Sequence, residues 1–309
     1  MSKVMVTGGT GFVGAGLVRQ LKEEGIQVCA PIRLNAAPGF GPVVGEIDGN
    51  TDWREALKSV NVVVHCAARA HIMKDEVSHP LAEFRKVNVE GTHNLARQAF
   101  EAGVKRLVYL SSIKVNGEQT SKVAPFSEED TPAPEDPYGV SKLEAEQGLQ
   151  RLAAETGLEV VIIRPPLVYG PGVKGNFASM IKLVAKGLPL PLGSIHNKRS
   201  LIALDNLVDL IITCIDHPAA ANQVFLAGDG EDISTTELLQ GVARAIGKPS
   251  RLLPVPVGLL MFGASTLGKK ALAQRLLGSL QVDISKARNL LGWQAPLSVE
   301  EGLKRCFPD

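Results

Sequence analysis

Three side chains in the middle of the chain, Ser112, Tyr138 and Lys142, are of types that can together deliver a proton to a ketone oxygen. A free tyrosine titrates at about 10, too high to exchange its proton readily near neutral pH. An ammonium group nearby favours the phenolate and lowers that pKa, and Lys142 lies one helical turn beyond Tyr138. The Ser112 hydroxyl could orient the same oxygen. The set predicts acid/base chemistry beside a hydride transfer, with Tyr138 as the acid or, in reverse, the base.

A strand and a helix must position these side chains. The run RLVYLSS, from Arg106 to Ser112, predicts a strand, and Tyr138 to Leu152 predicts a helix. The stretch between them, Ile113 to Pro137, is rich in Pro, Glu and Ser and predicts a loop. In an open parallel sheet the end of such a strand faces the ligand cleft at the carboxyl edge.

A glycine-rich stretch near the start of the chain, Val4 to Gly14, predicts the partner of this chemistry. Its apolar run, Val4 to Val6, is typical of a strand that is buried on both faces. Gly8, Gly11 and Gly14 then permit a sharp turn, a close approach to a ligand, and tight packing of helix on strand. The helix predicted from Ala15 to Leu21 would present its N-terminal N–H groups to a pyrophosphate. The stretch therefore predicts a dinucleotide site.

Buried apolar runs alternate with helical patterns through most of the chain, as βαβ units require. We predict an α/β fold, a doubly wound parallel Rossmann sheet with a smaller C-terminal substrate-binding lobe. The dinucleotide-binding domain is expected to take residues 1–166 and to be rejoined by about 199–228. The lobe is expected to take residues 167–198 and 229–309.

The end of the second predicted strand, Gln27 to Leu34, bears on the choice of cofactor. An acid at this place accepts the ribose hydroxyls of NAD, whereas an arginine accommodates the extra phosphate of NADP. Ile32 stands where the acid is expected and Arg33 follows it, which favours NADP while NAD stays possible. A third strand is predicted from Val43 to Asp48, with Glu46 and Ile47 near the adenine, and a short helix from Asp52 to Ser59.

Composition excludes several classes of partner. The chain has 309 residues, with 33 basic and 32 acidic side chains, and no Lys/Arg run typical of nucleic-acid binding. Its four cysteines are scattered and no histidines have metal-ligand spacing, so we expect reduced thiols and no metal.

One apolar stretch, Leu252 to Leu267, is interrupted by prolines and glycines and is too short to span a bilayer. A buried loop and helix is the favoured interpretation, with peripheral membrane contact as the alternative. The first strand follows Met1 to Lys3 directly, which predicts no signal peptide and a cytoplasmic location.

These motifs resemble the extended short-chain dehydrogenase/reductase family, which comprises nucleotide-sugar epimerases, dehydratases and reductases. The similarity runs from Val4 to about Trp293 and is carried by TGGTGFVG, HCAA, VNVEGT, LSSIKVNG, YGVSK, RPPLVYGPG and VDISKARNLLGW. The resemblance implies a nucleoside diphosphate sugar in the second lobe, with a UDP-sugar favoured. It also implies a homodimer through the helices near 81–100 and 138–152.

Family positions and the glycine loop together give the expected site. Catalysis falls to Ser112, Tyr138 and Lys142. The expected cofactor contacts are Gly8, Thr10, Gly11, Phe12, Val13, Gly14, Arg33, Glu46, Ile47, Ala67, Ala68, Asn88, Tyr138, Lys142 and Pro165. The expected substrate contacts are Ser112, Lys114, Asn176, Arg199 and Arg275. For Lys114, a contact to the sugar beyond C4 and a structural bond to a backbone carbonyl are equally favoured.

Two departures from the family pattern narrow the reaction. The 4,6-dehydratases carry an Asp-Glu pair where this chain has Ile113 and Lys114, which disfavours water elimination. The 3,5-epimerase/4-reductases use a cysteine there, and none is present. The remaining chemistry is hydride transfer at one carbon, most simply C4.

Three functions stay open for such a chain. The favoured one is an NADPH-linked 4-reductase of a UDP-4-keto-6-deoxy-N-acetylhexose in polysaccharide or O-antigen precursor synthesis, because Arg33 replaces the acid. The alternative is a UDP-glucose or UDP-N-acetylglucosamine 4-epimerase with tightly held NAD. A non-catalytic NADPH-sensing protein is the third.

Overall fold

The computed structural model describes residues 3–34, 41–70, 79–120 and 124–307, apart from the side chains of Asn176, Ala271 and Leu272. Its strands are β1 (Lys3–Thr7), β2 (Gln27–Cys29), β3 (Val62–His65), β4 (Arg106–Leu110), β5 (Glu159–Arg164), β6 (Leu167–Tyr169), β7 (Arg199–Ala203), β8 (Val224–Leu226) and β9 (Asp232–Ile233).

The helices among these residues number eleven. They are α1 (Phe12–Glu23), α2 (Pro80–Arg85), α3 (Gly91–Glu101), α4 (Pro137–Thr156), α5 (Gly175–Ala185), α6 (Leu204–Asp216), α7 (Thr235–Ala245), α8 (Val257–Thr266), α9 (Lys270–Leu277), α10 (Ser285–Leu291) and α11 (Val299–Arg305). A π-helical turn, Lys86–Glu90, joins α2 to α3.

Six strands form one parallel sheet in the order β2-β1-β3-β4-β5-β8. Its strands are apolar on both faces. Alternate residues pack into two separate hydrophobic cores, one on each side of the sheet. Val4 and Val6 pack into the core that includes Leu17 of α1, whereas Met5 enters the core that includes Leu149 of α4. Helices therefore cover both faces, and the predicted doubly wound α/β class is confirmed.

A second sheet of three strands has the order β6-β7-β9, with β6 parallel and β9 antiparallel to β7. Residues 199–228 were expected to rejoin the dinucleotide-binding domain, and the first strand of that segment, β7, lies in this small sheet. The chain does return afterwards, because α6 contributes Leu207 to the core shared with α1 and β8 pairs with β5.

Three local predictions were wrong. Val43 to Asp48 forms no strand beyond a single bridge between Ile32 and Val43, and the neighbour of β1 on its inner side is β3. Residues 54–59 form turns instead of a helix. The second strand ends at Cys29, five residues early, because Ile32 leaves the sheet to pair with Val43.

The apolar stretch is also placed differently from the favoured interpretation. Helix α8 contains no buried residue, and Leu259 and Phe262 are 62% and 71% exposed. Within the described ranges, no helix is long and apolar enough to cross a membrane.

The glycine-rich turn between β1 and α1 is closed by backbone contacts. Gly8 has a φ of +70°, a conformation that side chains rarely adopt, and its O atom accepts a hydrogen bond from Gly11 N at 2.8 Å. A Cβ at Gly14 would stand 2.2 Å from Gly8 O, so α1 approaches the turn as closely as only glycine allows.

A buried ion pair holds α4 against the sheet. Arg164, the last residue of β5, donates from Nη2 to Glu146 Oε2 at 2.6 Å and from Nε to Glu146 Oε1 at 3.0 Å. Arg164 Nη1 also donates to Asn116 Oδ1 at 3.0 Å, and the Ser111 hydroxyl donates to Glu146. Both charged side chains are nearly inaccessible to water. Their mutual hydrogen bonds compensate the loss of hydration that burial would otherwise make costly.

We predict that Gly14→Ala lowers the free energy of unfolding by about 1–3 kcal/mol, because the new methyl group must displace the backbone at Gly8. Urea unfolding followed by circular dichroism measures it. Gly258→Ala is the matched control, since a Cβ there meets nothing within 4 Å. Equal stability of the two variants would contradict the tight contact.

We also predict that Glu146→Gln lowers the free energy of unfolding by about 3–5 kcal/mol, because it leaves the Arg164 charge buried without a carboxylate. Glu144→Gln, two residues earlier on α4, breaks the exposed pair with Arg85 and should leave the urea midpoint nearly unchanged. A Glu146→Gln midpoint that matches the Glu144→Gln midpoint would show that the buried pair is dispensable.

Candidate functional site

The sheet brings the start of α4 next to the end of β4. Asp136 caps α4, since its Oδ1 accepts a hydrogen bond from Gly139 N at 2.7 Å, and Pro137 occupies the first turn. On the other side, Ser112 follows β4 and caps a short 3₁₀ turn, with Lys114 N donating to Ser112 Oγ at 3.3 Å. Two helix starts therefore place Tyr138 and Ser112 at the carboxyl edge.

The three predicted catalytic side chains meet at this edge. The Ser112 hydroxyl neighbours the Tyr138 phenol closely enough to lower its pKa. Lys142 is buried, and its Nζ donates to Leu110 O at 2.8 Å and lies 5.9 Å from the centre of the Tyr138 ring. Ser112 and Tyr138 are thus placed to contact the same oxygen of a bound molecule. The Lys142 ammonium lies near the Tyr138 ring.

The pKa of Tyr138 differs from the sequence expectation. Burial raises the pKa of this phenol above its usual value, the nearby Asp136 charge raises it further, and the hydrogen bond with Ser112 opposes both. Burial lowers the pKa of Lys142 to about 8, against the opposing effects of Cys66 and Glu146. We expected Lys142 to lower the pKa of Tyr138. In this structure the groups that act on that pKa are Asp136 and Ser112, together with burial, and the net effect is to raise it.

The glycines of the predicted cofactor site form the turn that leads into α1. Gly11 is the N-cap, and no side chain caps the helix, so the first N–H groups, from Phe12 to Gly14, stay available to an anion. A Cβ at Gly8 would stand 2.8 Å from Ala67 N, so the loops after β1 and β3 touch. Uncapped N–H groups and close-packed small residues fit the pyrophosphate of a dinucleotide.

Arg33 lies at the rim of this region. It is exposed, and its Nη1 is 3.8 Å from Oε2 of Glu46, which is also exposed. The guanidinium is therefore loosely held and accessible. Pro165 stands beside the catalytic segment, because its O atom accepts a hydrogen bond from Ile113 N at 3.0 Å.

Asn88, predicted to contact the cofactor, is buried in the π-helical turn and is fully engaged. Its Oδ1 accepts a hydrogen bond from Arg69 N at 2.8 Å, and its Nδ2 donates to Arg69 O at 3.1 Å and to Ser141 Oγ at 3.0 Å. Asn88 therefore ties the segment after β3 to α4. Its contact with a cofactor stays a prediction.

A second polar chain, which sequence reasoning missed, fixes the end of β1. Thr7 Oγ1 lies 2.6 Å from His65 Nδ1, and His65 Nε2 lies 2.9 Å from Thr92 Oγ1. Burial lowers the pKa of His65 to about 3, so the ring is neutral and bridges the two hydroxyls. The motif HCAA contains this histidine, but its partners lie 58 and 27 residues away.

The charged residues predicted to contact substrate form one connected group with Glu118. Lys114 Nζ lies 3.2 Å from Glu118 Oε1 and also pairs with Asp136. Arg275 Nη2 shares Glu118 Oε1 at 3.2 Å, and Arg199 Nη1 donates to Arg275 O at 2.7 Å. The Lys114 ammonium is held by carboxylates instead of a backbone carbonyl, and its contact to the sugar stays a prediction.

Asn176 belongs to the first turn of α5, but its side chain lies outside the described part of the structure. Among the described residues, no group of three or more His, Cys, Asp or Glu side chains could hold a metal ion. Glu146 and Arg164 were also missed as parts of the site. Glu146 follows Lys142 by four residues, which places both on one face of α4 and was the available signal.

Comparison with known proteins extends these observations. The chain matches the profile of the NAD dependent epimerase/dehydratase family over residues 4–228. It is 53% identical over 307 residues to a UDP-glucose 4-epimerase from Vibrio cholerae, and the match covers 98% of this chain and 93% of that protein.

Two solved structures have similar folds. MoeE5 in complex with UDP-glucose and NAD is 26% identical with a TM-score of 0.78, and the match covers 98% of this chain and 97% of that one. A UDP-glucose 4-epimerase from Thermotoga maritima with UDP-glucose is 25% identical with a TM-score of 0.76, at 98% and 97% coverage. The profile match and the 53% identity show that the chain belongs to the NAD-dependent epimerase/dehydratase family of extended short-chain dehydrogenase/reductase enzymes.

Proposed function

We propose that the protein is a UDP-hexose 4-epimerase that retains NAD, the alternative left open by the sequence analysis. The observation that carries this proposal is the 53% identity to a UDP-glucose 4-epimerase across nearly the whole chain. The geometry at the sheet edge supports it, because epimerisation at C4 needs one group that both removes and returns a proton, and the Tyr138 phenol lies there beside the Ser112 hydroxyl.

In this proposal Tyr138 is the acid/base and Ser112 orients the C4 oxygen. When bound, NAD supplies the hydride acceptor and donor for C4. The proton of the C4 hydroxyl passes to the Tyr138 oxygen. The same phenol returns the proton to the C4 oxygen after the sugar has turned its opposite face toward the cofactor. The Ser112 hydroxyl donates to the C4 oxygen throughout, which keeps that oxygen within reach of the phenol.

Lys142 is proposed to make the Tyr138 phenol ionisable. Burial and the Asp136 charge raise the pKa of Tyr138, so the tyrosine needs a positive charge nearby to act as a base near neutral pH. Lys142 supplies one charge from beneath the ring, and its remaining donors could hold the cofactor ribose. The site is thus proposed to become active as a base only when the cofactor completes it.

The substrate diphosphate is proposed to lie against Arg199 and Arg275, with Asn176 near the start of α5. The link between Arg275 and Glu118 is a single exposed ion pair, so phosphate can compete for this guanidinium. Lys114 shares Glu118 and would be released in part by the same exchange. Before substrate binds, Lys114 and Arg275 are therefore paired with a carboxylate of the protein itself.

A 4-reductase is the second candidate, and Arg33 is the observation that favours it. Its exposed guanidinium follows Ile32, which stands where an acid would accept the NAD ribose, and it could bind the phosphate of NADP. An epimerase that keeps its cofactor gains nothing from that discrimination. We therefore keep NADPH-dependent reduction of a UDP-4-keto sugar as the alternative to be excluded by experiment.

The proposed setting is the cytoplasm, in the synthesis of polysaccharide or lipopolysaccharide precursors, where nucleotide sugars are made. A homodimer through α2, α3 and α4 is also proposed, because the family resemblance implies it.

We expect Tyr138→Phe to lower kcat for UDP-glucose and UDP-galactose interconversion at least about 100-fold, since the phenol is the only proposed carrier of the C4 proton. A coupled assay of UDP-galactose formation measures it. Tyr169→Phe is the matched control, because it removes a phenol that bonds Asp229 at 2.7 Å in the smaller lobe. A Tyr138→Phe enzyme as active as Tyr169→Phe would remove the catalytic assignment.

The purified protein should contain NAD and should interconvert the two sugars without added nucleotide. Absorbance of the denatured protein's supernatant, followed by enzymatic NAD determination, measures retention. Stoichiometric oxidation of added NADPH by a UDP-4-keto-6-deoxy sugar, with no interconversion, would replace the epimerase proposal by the reductase.

Activity should fall as pH rises, with a midpoint no higher than about 8, because the Lys142 ammonium loses its proton there. Glu146 raises the pKa of Lys142, so Glu146→Gln should move the midpoint to lower pH. Initial rates at constant ionic strength measure the profile, and Glu144→Gln should leave the midpoint in place. A wild-type profile flat to pH 10 would show that the charge of Lys142 is not needed.

A further inference from the structure

Large exposed apolar side chains concentrate in one part of the smaller lobe. Of the twelve such residues in the described structure, seven belong to the segment 183–267. We name these seven the apolar face: Leu183, Leu188, Leu253, Val257, Leu259, Phe262 and Leu267. Isolated apolar residues on a surface are ordinary, but a concentration of this kind marks an interaction site.

The backbone connects members of the apolar face. Leu190 pairs with Leu252 in a parallel bridge, so the segment that carries Leu188 runs beside the segment that carries Leu253. Leu259 and Phe262 are three residues apart in α8, so they lie on the same side of that helix. Because α8 contains no buried residue, its apolar side chains contribute little to the core of the protein.

The charge of this region has one sign. From Leu238 to Val282 the sequence contains no Asp or Glu and six basic residues: Arg244, Lys248, Arg251, Lys269, Lys270 and Arg275. The chain as a whole is nearly neutral, with 33 basic and 32 acidic residues, so this excess is local.

Several of these cations border the apolar face. Lys248 Nζ donates to Ala185 O at 2.5 Å, and Arg251 Nη1 donates to Gly187 O at 3.4 Å, so both flank Leu188. Lys269 and Lys270 are exposed and lie three and four residues beyond the end of α8. Exposed apolar area and neighbouring cations both strengthen binding to an anionic lipid interface.

We propose that the apolar face docks on an anionic lipid bilayer, with α8 lying in the plane of the interface and the basic residues contacting lipid phosphates. This goes beyond the proposed function and does not depend on which sugar is converted. A ten-residue helix is about 15 Å long, half of a hydrocarbon core, so α8 can lie on the bilayer but cannot cross it. The attachment is therefore peripheral and reversible.

A second copy of this chain fits the region less well. A twofold contact would set the apolar face against itself and bring its cations against the same cations. An anionic lipid surface instead attracts the cations that border the apolar face, with about 1 kcal/mol for each basic residue near the surface. Charge complementarity thus selects the lipid surface.

The test is co-sedimentation of the full chain with vesicles of three parts phosphatidylcholine to one part phosphatidylglycerol, beside vesicles of phosphatidylcholine alone. We expect binding to the anionic vesicles. Leu259→Ser with Phe262→Ser should lower the partition coefficient at least about tenfold. Lys269→Gln with Lys270→Gln should lower it about 30-fold. Circular dichroism and the urea midpoint establish that each variant is folded.

Matched controls lie elsewhere on the surface. Leu290→Ser removes an exposed leucine from α10, and Lys58→Gln with Lys105→Gln removes two distant exposed lysines. Both should bind anionic vesicles as the wild type does. Failure of the wild type to sediment with them, or equal loss in the controls, overturns the proposal. A vesicle-independent dimer that the Leu259/Phe262 variant loses would instead assign this face to a second copy.

Discussion

The site depends on a polar stripe of α4 that is turned inward. Tyr138, Lys142 and Glu146 are spaced four residues apart, so they lie on one face of the helix, and that face meets the ends of β4 and β5. Lys142 contacts Leu110 O, while Glu146 contacts Ser111 and Arg164. A buried carboxylate and a buried ammonium are each costly alone. Their partners on the strands therefore fix both the angle and the depth of α4, and with them the position of the Tyr138 phenol.

The pKa of Tyr138 is raised and that of Lys142 is lowered, and this combination suits a base that depends on a bound cofactor. Burial favours the neutral form of each, so it raises the pKa of Tyr138 and lowers that of Lys142. The protein alone keeps the phenol protonated. A positively charged partner in the same cleft would act on the phenol through a medium of low dielectric constant, where one charge has a large effect.

Much of the fold was predictable because its signals are local. The runs at β1, β3, β4 and β5 are short, with apolar centres, which is what a parallel sheet buried on both faces requires. Ser112 and Tyr138 were predictable from residue type and spacing, and the structure brings them together. Glu146 was visible on the face of Lys142, but its partner Arg164 could be assigned only once β4 and β5 were paired. The incorrect strand at Val43 to Asp48 and the incorrect burial of α8 share a cause. A local sequence pattern shows that a segment is apolar or extended, but it does not show whether another element packs against it.

The interleaving of the two sheets has a consequence for synthesis of the chain. Strand β5 leads directly into β6 and β7 of the small sheet, and the strand that covers the β5 edge, β8, is made about sixty residues after β5. While the chain emerges from the ribosome, β5 therefore stays an open edge of the large sheet until Val224–Leu226 arrive. Neither sheet can be finished before much of the other has been made. The protein should fold as one late cooperative unit, and chains truncated before β8 should be prone to aggregate through that edge.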